Sequence, residues 1–550
     1  MAADLTTLKA RVIRPSYDKR GNPIWHTQMS APDDSFAQCM MVPDRVIPVV
    51  FVPGVMGSNL IQRNTTPDKA MKWRLDNPKT AAAWLTRGAK IRKTYLSPTA
   101  MDVDRNGAIP QGTQLPDEEL RRRGWGEVAA LSYEHSLVWL ENALNDFDDP
   151  HVSERVRLMR EALGAELGEA LLTRDEVALS YRYRFPVYAC GYNWLDDNAN
   201  SAKRLGQRID EIIARYRSER KKVEKVIIVT HSMGGLVARY CSEVLGYRDK
   251  IFGIIHGVMP AIGAAAVYRR LKSGTENPGE GIKDSIEGWL GSKALGEDAA
   301  EMTAVLSTAP GPLQLLPTPE YGNGWLIIKD GAQEHSLPKQ GNPYAEIYTV
   351  RGKWWSMCDD ALINPLNDER HQKKRQAQVD EDWRSYAHLI TENVRGLHDR
   401  LRSRYHPVTY AFCGSSNDFR AYGTVKWTGN GGSWLRGGRR SDFLEARHLD
   451  PSELTTKRTV AAKLEGDGWL KAEQQTYRIS EPDEPGDGTV PRRSGIAPRS
   501  RCTAFLEVAL GHEPAYNHTK GAENLRACRF TLRAIVQIAQ QVQHTSLKYE

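Results

Sequence analysis

The chain has 550 residues, 40% of them hydrophobic and 26% charged, which is close to the averages for globular proteins and long enough for one large core with insertions. Its net charge of +7 is small for this length, and no zinc-finger spacing or RNA-binding signature occurs, so nucleic-acid binding is not expected. Residues 1–21 lack the apolar core of a secretory signal, and no apolar run approaches the roughly 20 residues that span a bilayer, so we expect any membrane contact to be peripheral.

The first half of the chain alternates apolar runs with amphipathic stretches. The runs are rich in Val and Ile and predict strands buried on both faces, at residues 46–52, 185–190, 225–229 and 251–255. An amphipathic helix is predicted after the second run and another after the third, because apolar residues recur there at helical spacing. The apolar residues of the first helix are Leu205, Ile209, Ile212, Ile213 and Tyr216, and those of the second are Leu236, Val237, Tyr240, Val244 and Leu245. Ser201 is the expected N-cap of the first of these helices. This alternation predicts right-handed crossovers and a parallel sheet with helices on both faces.

Two segments interrupt the pattern. Residues 61–175 are polar, with one helix expected at 132–144, and residues 261–405 mix short amphipathic pieces with Gly, Pro and charged residues, which predicts an inserted cap. Strands resume after the cap, on either side of a glycine-rich region at 415–480, and a C-terminal helix follows. The predicted division is a first part of an α/β core at 1–260, a cap or lid at 261–405 and a second part of the core at 406–550.

The motif Thr230-His231-Ser232-Met233-Gly234-Gly235 lies between the clearest strand and a helix. This context is typical of a nucleophile elbow, so we predict Ser232 as the nucleophile. Gly234 supplies the small residue that the turn needs, whereas Thr230 stands where a glycine is usual, so the elbow must accept a side chain there. The alternative is an ordinary serine in a glycine-containing turn, and the strand–turn–helix context favours the nucleophile.

An activated serine needs a histidine base and a carboxylate that orients it, in the chain order Ser, acid, His. Asp487, in the small-residue loop 486–491, is the candidate acid, with Asp483 and Glu484 as rivals. His512, directly after the last predicted strand, is the candidate base, with His518 as its rival. His231 has the wrong place in the chain for the base and is interpreted as packing beside the elbow.

Acyl transfer also requires backbone N–H groups that stabilise the oxyanion of the tetrahedral intermediate. Met233, next to the nucleophile, is one expected donor. The second donor is expected in the loop after the first strand, where glycines allow a close approach; Val55 is the first choice and Met56 the second.

Metal and cofactor chemistry are not expected, because the chain has no HExxH motif, phosphate-binding loop or paired Cys/His zinc spacing. Two acidic pairs, Asp196-Asp197 and Asp359-Asp360, have ligands that suit Ca²⁺, although ordinary surface pairs are commoner. We predict no metal and no cofactor.

Several motifs together resemble the lipase branch of the α/β-hydrolases, which includes enzymes similar to lecithin:cholesterol acyltransferase and to glycosylphosphatidylinositol inositol-deacylase. They are VPGVMGSNL (52–60), CGYNWLDDNANSA (190–202), VTHSMGGLVARY (229–240), IIHGVMPAIGAA (254–265) and GDGTVP (486–491). The size of the chain, the absence of a signal peptide and the stretch AVLSTAPGPLQLLP (304–317) are similar to bacterial type VI secretion phospholipase effectors.

The resemblance implies an α/β-hydrolase fold with a mostly parallel central sheet and a large inserted cap. It assigns Ser232, Asp487 and His512 to a catalytic triad, and Val55 and Met233 to the oxyanion hole. It also implies phospholipase activity on a rival cell's membrane, a cognate immunity protein and a secretion-apparatus spike protein as partners. The expected location is the cytoplasm of the producing bacterium, with delivery to the periplasm or membrane of the target cell.

The residues and motifs leave alternatives open. The same residues would serve an acyltransferase or a small-ester esterase, and a hydrolase scaffold can also be a non-catalytic binding module. The cap is expected either to open as an apolar lid at a lipid surface or to pack permanently on the core. Its candidate lid residues are Val305, Leu306, Leu313, Leu315, Leu316 and Trp325.

Overall fold

A computed structural model describes most of the chain. The described residues are 9–26, 35–39, 41–74, 76, 78–146, 153–275, 294–429, 444–448, 459–464, 473–513 and 515–549.

A six-stranded sheet forms the centre of the core, and every pair of neighbouring strands in it is parallel. In chain order its strands are β1 (Val49–Val52), β2 (Val187–Ala189), β3 (Val226–His231), β4 (Ile251–Gly257), β5 (Thr409–Gly414) and β6 (Ala504–Val508). In space the order is β2-β1-β3-β4-β5-β6. The first predicted strand is shorter than expected: it begins at Val49 because Pro48 has no N–H for the ladder.

Alternate residues of the strands point to opposite faces of the sheet and into two large hydrophobic clusters, while Ala411, Cys413 and Phe505 form a third, small cluster. Val50 and Ile228 lie in the cluster that also contains the cap, whereas Val49 and Ile227 lie in the opposite cluster. All six residues of β3 are buried. A strand with both faces covered has no polar side to show, which is why it is a continuous apolar run in the sequence.

Helices cover both faces of the sheet. Asn198–Ser218 and Gly234–Glu243 pack on the face that meets the cap, and Ala130–Leu144 and Ala522–Ala539 on the other. The remaining α-helices are Pro78–Leu85, Ala89–Tyr95, Asp117–Arg122, Glu154–Arg157, Arg174–Ser180, Ala266–Ser273, Ala299–Leu306, Pro310–Leu313, Gln372–His388, Arg395–Leu401 and Arg492–Gly495. None of the described helices combines the length and the apolar character that a bilayer-spanning helix needs.

A second six-stranded sheet joins the predicted cap to the region after it. Leu326–Asp330, from the cap, pairs in parallel with Val425–Gly429, which follows β5 in the chain. The order of the sheet is Gln333–Leu337, Leu326–Asp330, Val425–Gly429, Glu473–Ile479, Thr459–Leu464 and Arg447–His448. This sheet therefore draws strands from both sides of the predicted boundary at 405/406, and the division into domains stays a prediction.

Smaller strand groups complete the fold. Leu60–Gln62 lies between Lys72–Trp73 and Met101–Val103 in a three-stranded sheet inside the predicted insertion. The other pairs are Lys9–Ile13 with Ser35–Cys39, Ser16–Tyr17 with Pro23–Ile24, Arg45–Val46 with Lys222–Val223, and Ser416–Ala421 with Glu484–Gly486.

The candidate lid residues lie in the interior of the structure. Val305, Leu313 and Leu316 are fully buried, and Leu306, Leu315 and Trp325 are at most 8% exposed. All six belong to the cluster that covers one face of the central sheet. This arrangement corresponds to a cap packed on the core, and its opening at a lipid surface stays a prediction.

The helix Asn198–Ser218 begins earlier than expected, and its N-cap is Asp197 rather than Ser201. Asp197 Oδ1 accepts hydrogen bonds from the Ala199 amide (2.9 Å) and from Gln314 Nε2 (2.9 Å), and its Oδ2 accepts one from Asn393 Nδ2 (2.8 Å). The prediction of Ser201 is wrong because the sequence cannot show these two distant donors, which favour the earlier start.

The acidic pairs are engaged by groups of the protein. The carboxylate of Asp197 accepts the three N–H groups just described, Asp359 accepts the Ala361 amide, and Asp360 pairs with Arg351 at 2.6 Å. No cluster of three or more metal-ligating side chains occurs among the described residues.

Replacement of Asp197 by alanine removes the N-cap of the helix and the hydrogen bonds to Gln314 and Asn393 in the inserted segment. We expect Asp197→Ala to lower the free energy of unfolding by about 2–3 kcal/mol, the sum of a lost N-cap and a lost charged hydrogen bond. Urea unfolding measures the change. Asp175→Ala, at an exposed aspartate in the first turn of Arg174–Ser180, is the control and should cost less than about 1 kcal/mol. Equal losses in the two variants would contradict the role of Asp197.

Candidate active site

Ser232 occupies a sharp turn between β3 and the helix Gly234–Glu243. Its φ is +51°, in the left-handed region that residues other than glycine rarely adopt. The Ser232 amide donates a hydrogen bond to the carbonyl of Gly257 at the end of β4 (2.9 Å), which fixes the turn to the neighbouring strand. Strain of this kind persists where the surroundings hold it in place, as they do at functional turns.

The space around the turn explains its small residues. A Cβ atom on Gly234 would lie 2.5 Å from the carbonyl oxygens of both Val52 and Pro53, so only glycine lets the helix approach β1 this closely. Thr230, at the position where the sequence departs from the usual glycine, is fully buried, and its hydroxyl lies 2.9 Å from Nδ1 of His256 on β4. The turn accepts the threonine side chain because its buried hydroxyl forms a hydrogen bond with His256.

Ser232, His512 and Asp487 meet above the carboxyl edge of the sheet. His512 Nε2 lies 2.9 Å from Ser232 Oγ, and His512 Nδ1 lies 2.9 Å from Asp487 Oδ2. The other carboxylate oxygen, Asp487 Oδ1, accepts the amides of Thr489 (2.9 Å) and Val490 (2.7 Å), and the His512 amide donates to the Asp487 carbonyl (2.7 Å). The carboxylate and the imidazole are therefore both fixed in orientation.

The three side chains are almost hidden from solvent, with exposed fractions of 3% for Ser232, 7% for His512 and 1% for Asp487. Electrostatic interactions are stronger in such a site than in water. A hydroxyl that can pass its proton to an imidazole, which is itself held by a carboxylate, has the arrangement of an acyl-transfer nucleophile.

The rival residues are engaged elsewhere. Asp483 accepts the amides of Gly423 and Thr424, and Glu484 pairs with Arg493. His518 packs against the rings of His135 and Trp139.

His231 is buried beside the elbow, as expected from its place in the chain. Burial, and then the charge that neighbouring His512 can carry, lower the pKa of His231 to about 3, so it stays neutral near pH 7. Its Nε2 lies 3.1 Å from the backbone oxygen of His512, and its Nδ1 lies 2.9 Å from the hydroxyl of Tyr133. His231 therefore forms specific hydrogen bonds in addition to packing.

The loop Pro53–Ser58 follows β1 and contacts the nucleophile: a Cβ atom on Gly54 would lie 3.0 Å from Ser232 Cβ. Three of its carbonyl groups accept hydrogen bonds, two from side chains outside the loop and one from an amide within it. The Pro53 oxygen accepts from the Tyr192 hydroxyl (2.8 Å), that of Gly54 from the Gly57 amide (3.1 Å) and that of Met56 from Trp73 Nε1 (3.2 Å).

The N–H groups of Val55 and Met233 donate no hydrogen bond within the described structure, and the same holds for Met56. A trans peptide directs its N–H away from its C=O, so a held carbonyl at Gly54 also fixes the N–H of Val55. The loop and the residue after the nucleophile thus contain N–H groups without a partner in the described structure, as an oxyanion hole requires, and the assignment of Val55 and Met233 to it stays a prediction.

Sequence reasoning did not identify Tyr133, Tyr192 or Trp73 as part of the site. Tyr133 and Trp73 lie in the polar segment at 61–175, and Tyr192 lies in the motif CGYNWLDDNANSA (190–202), but nothing local to any of them indicates a contact with the loop Pro53–Ser58. Only the tertiary structure brings them to the loop Pro53–Ser58.

Comparison with known proteins agrees with this architecture. Residues 195–268, which include β3 and the elbow, match the family described as the PGAP1-like alpha/beta domain. A chain of the crystal structure of the Tle4–Tli4 complex is similar over 90% of this chain and 98% of its own length, with a TM-score of 0.71 and 25% sequence identity. The chain has the α/β-hydrolase fold. The predicted fold class and the predicted resemblance are confirmed, whereas the comparison with curated proteins found no match.

The close contact at Gly234 predicts a large effect of one added methyl group. We expect Gly234→Ala to lower the free energy of unfolding by about 1–3 kcal/mol, because the new Cβ would overlap two carbonyl oxygens of β1 and its loop. Gly396→Ala is the matched control, since a Cβ on this helical glycine meets nothing within 4 Å. It should leave stability unchanged or raise it by up to about 1 kcal/mol. Urea unfolding of both variants provides the test, and a neutral Gly234→Ala would disprove the tight contact.

Proposed function

We propose that the chain is a serine lipase or phospholipase that hydrolyses acyl ester bonds of membrane phospholipids. The observation that carries the proposal is the pair of 2.9 Å contacts that join Ser232 Oγ to His512 and His512 to Asp487. The α/β-hydrolase fold and the similarity to a chain of the Tle4–Tli4 complex support it.

The reaction follows from this geometry. Ser232 Oγ attacks the acyl carbonyl carbon while His512 Nε2 takes the hydroxyl proton, and Asp487 stabilises the imidazolium that forms. The N–H groups of Val55 and Met233 stabilise the oxyanion of the tetrahedral intermediate. When this intermediate collapses, His512 returns the proton to the leaving alcohol oxygen and an acyl-serine remains. Water, deprotonated by His512, attacks the carbonyl carbon of the acyl-serine; as the bond to Ser232 Oγ breaks, His512 passes the proton to that oxygen, and the fatty acid is released.

The alternative functions are an acyltransferase, an esterase for small substrates and a scaffold that catalyses no reaction. An alcohol in place of water would make the enzyme an acyltransferase with the same residues, and a smaller substrate would make it an esterase. A non-catalytic scaffold has no need of a serine, a histidine and an aspartate in mutual hydrogen-bond contact. The contacts at Ser232 therefore favour an enzyme.

The proposed biological setting is that of an antibacterial type VI secretion effector. In this proposal the protein is made in the bacterial cytoplasm, delivered with a spike protein and active at the periplasm or membrane of the target cell. A cognate immunity protein would bind it and block labelling of Ser232 by a fluorophosphonate. The similar chain was solved within a complex of two named components, Tle4 and Tli4, which supports a protein partner.

Release of fatty acid from phospholipid vesicles tests the enzymatic proposal. We expect the wild type to release fatty acid, and Ser232→Ala to be slower by about 10⁴-fold or more, because the nucleophile is lost. Asp487→Asn should lose about 10⁴-fold, since it no longer holds the required tautomer of His512. Ser218→Ala, at an exposed serine near the end of Asn198–Ser218, is the control and should match the wild type. Equal release by the wild type and Ser232→Ala would refute the proposal.

Expression of the protein in two compartments of a bacterium tests the setting. We expect growth arrest and accumulation of free fatty acid when an added secretory signal directs the protein to the periplasm, but not when the protein stays in the cytoplasm. Ser232→Ala should be harmless in both compartments. Growth arrest by the cytoplasmic form alone, or by Ser232→Ala, would contradict action on the membrane from the periplasm.

A further inference from the structure

A chain of buried hydrogen bonds connects the loop Pro53–Ser58 to His512. The Gly54 amide donates to the Tyr133 hydroxyl at 3.0 Å. The Tyr133 hydroxyl lies 2.9 Å from His231 Nδ1, and His231 Nε2 lies 3.1 Å from the backbone oxygen of His512. Tyr133 is 2% exposed and His231 is 1% exposed, so water does not compete for these bonds.

The protonation states give every bond in this chain the same direction. Burial raises the pKa of the Tyr133 hydroxyl, so it keeps its proton and donates it to His231 Nδ1. His231 is then neutral, with its own proton on Nε2, and donates it to the carbonyl of His512. Because Tyr133 and His231 each accept one hydrogen bond and donate another, the bonds strengthen one another in the low-dielectric interior.

The geometry around Tyr133 leaves the loop little freedom. Its hydroxyl lies so close to the loop that a Cβ atom on Gly57 would come within 2.6 Å of it, and a Cβ on Gly54 would lie 2.9 Å from His231 Nδ1. Tyr192 and Trp73 hold carbonyl groups of the same loop. The Pro53–Gly54 peptide is thus held at both ends, by Tyr192 at its C=O and by Tyr133 at its N–H.

We infer that Tyr133 and His231 are positioning residues that hold the oxyanion donors of the Pro53–Ser58 loop in register with Ser232 and His512. This inference rests on the proposed function. Neither residue touches the reacting atoms in this role: the side chain of Tyr133 orients the Gly54 peptide, and His231 ties that peptide to the backbone of the base. Their loss would lower transition-state stabilisation and leave the triad contacts in place.

The test compares variants that differ in single hydrogen bonds. Tyr133→Phe removes one hydroxyl and breaks the link to Gly54 and the link to His231. His231→Leu removes both nitrogens, whereas His231→Gln retains an acceptor for Tyr133 and a donor for the His512 carbonyl. Tyr183→Phe is the matched control, since it deletes a buried hydroxyl that donates to the Leu547 carbonyl (2.7 Å), away from the site.

Two measurements separate positioning from simple stabilisation. The rate of fluorophosphonate labelling at Ser232 depends on the nucleophile and the oxyanion hole but needs no lipid. The kinetics of p-nitrophenyl butyrate hydrolysis divide the effect between kcat and KM. Urea unfolding shows that each variant is folded.

We expect Tyr133→Phe and His231→Leu to lower the labelling rate and kcat by about 10- to 100-fold and to leave KM unchanged. This loss is smaller than the roughly 10²–10³-fold loss that follows removal of an oxyanion donor, because the donor is still present but less well oriented. His231→Gln should recover most of the rate, and Tyr183→Phe should keep the wild-type rate at a similar loss of stability. Wild-type rates in a folded Tyr133→Phe, or a His231→Gln as slow as His231→Leu, would overturn the inference while the proposed function stands. A wild type that is not labelled at Ser232 would overturn both.

Discussion

The parallel pairing of β1 with β3 is the constraint on which the site depends. Parallel neighbours end at the same edge of a sheet, so the loop after β1 and the elbow after β3 emerge side by side. Gly234 lets them approach so closely that a Cβ atom on it would lie 2.5 Å from the carbonyl oxygens of Val52 and Pro53. The oxyanion hole that we propose, formed by N–H groups of the loop and of Met233, depends on this approach.

The other half of the site comes from the far end of the sheet. Asp487 and His512 lie on either side of β6 in the chain, and β6 pairs only with β5 among the described strands of the central sheet. The hydrogen bond from the His512 amide to the Asp487 carbonyl joins their two loops directly. His231 then joins the His512 loop to the elbow. The site is therefore built from four loops at one edge of the sheet, and hydrogen bonds that involve the backbone connect these loops.

Local patterns in the sequence were sufficient to predict the central sheet and the turn at Ser232. A continuous apolar strand followed by a tight turn of small residues can be recognised within a short stretch of sequence. Chain order was sufficient to choose Asp487 and His512 from their rivals as candidates. The cap of the helix Asn198–Ser218 was not predictable in this way, since Gln314 and Asn393 reach Asp197 across more than a hundred residues. Tyr133 was missed for the same reason: its helix is ordinary in sequence, and only packing brings its hydroxyl to Gly54.

The second sheet has a consequence for how such a protein can be altered by recombination. Its strand Leu326–Asp330 comes from the inserted segment and lies beside Val425–Gly429, which the chain supplies only after β5. Excision of the insertion alone would expose Val425–Gly429 as a bare edge, and such an edge invites pairing with other chains. A functional graft of a related cap must therefore carry both segments together. Substitutions in one of these two paired strands are therefore expected to be accompanied by substitutions in the other.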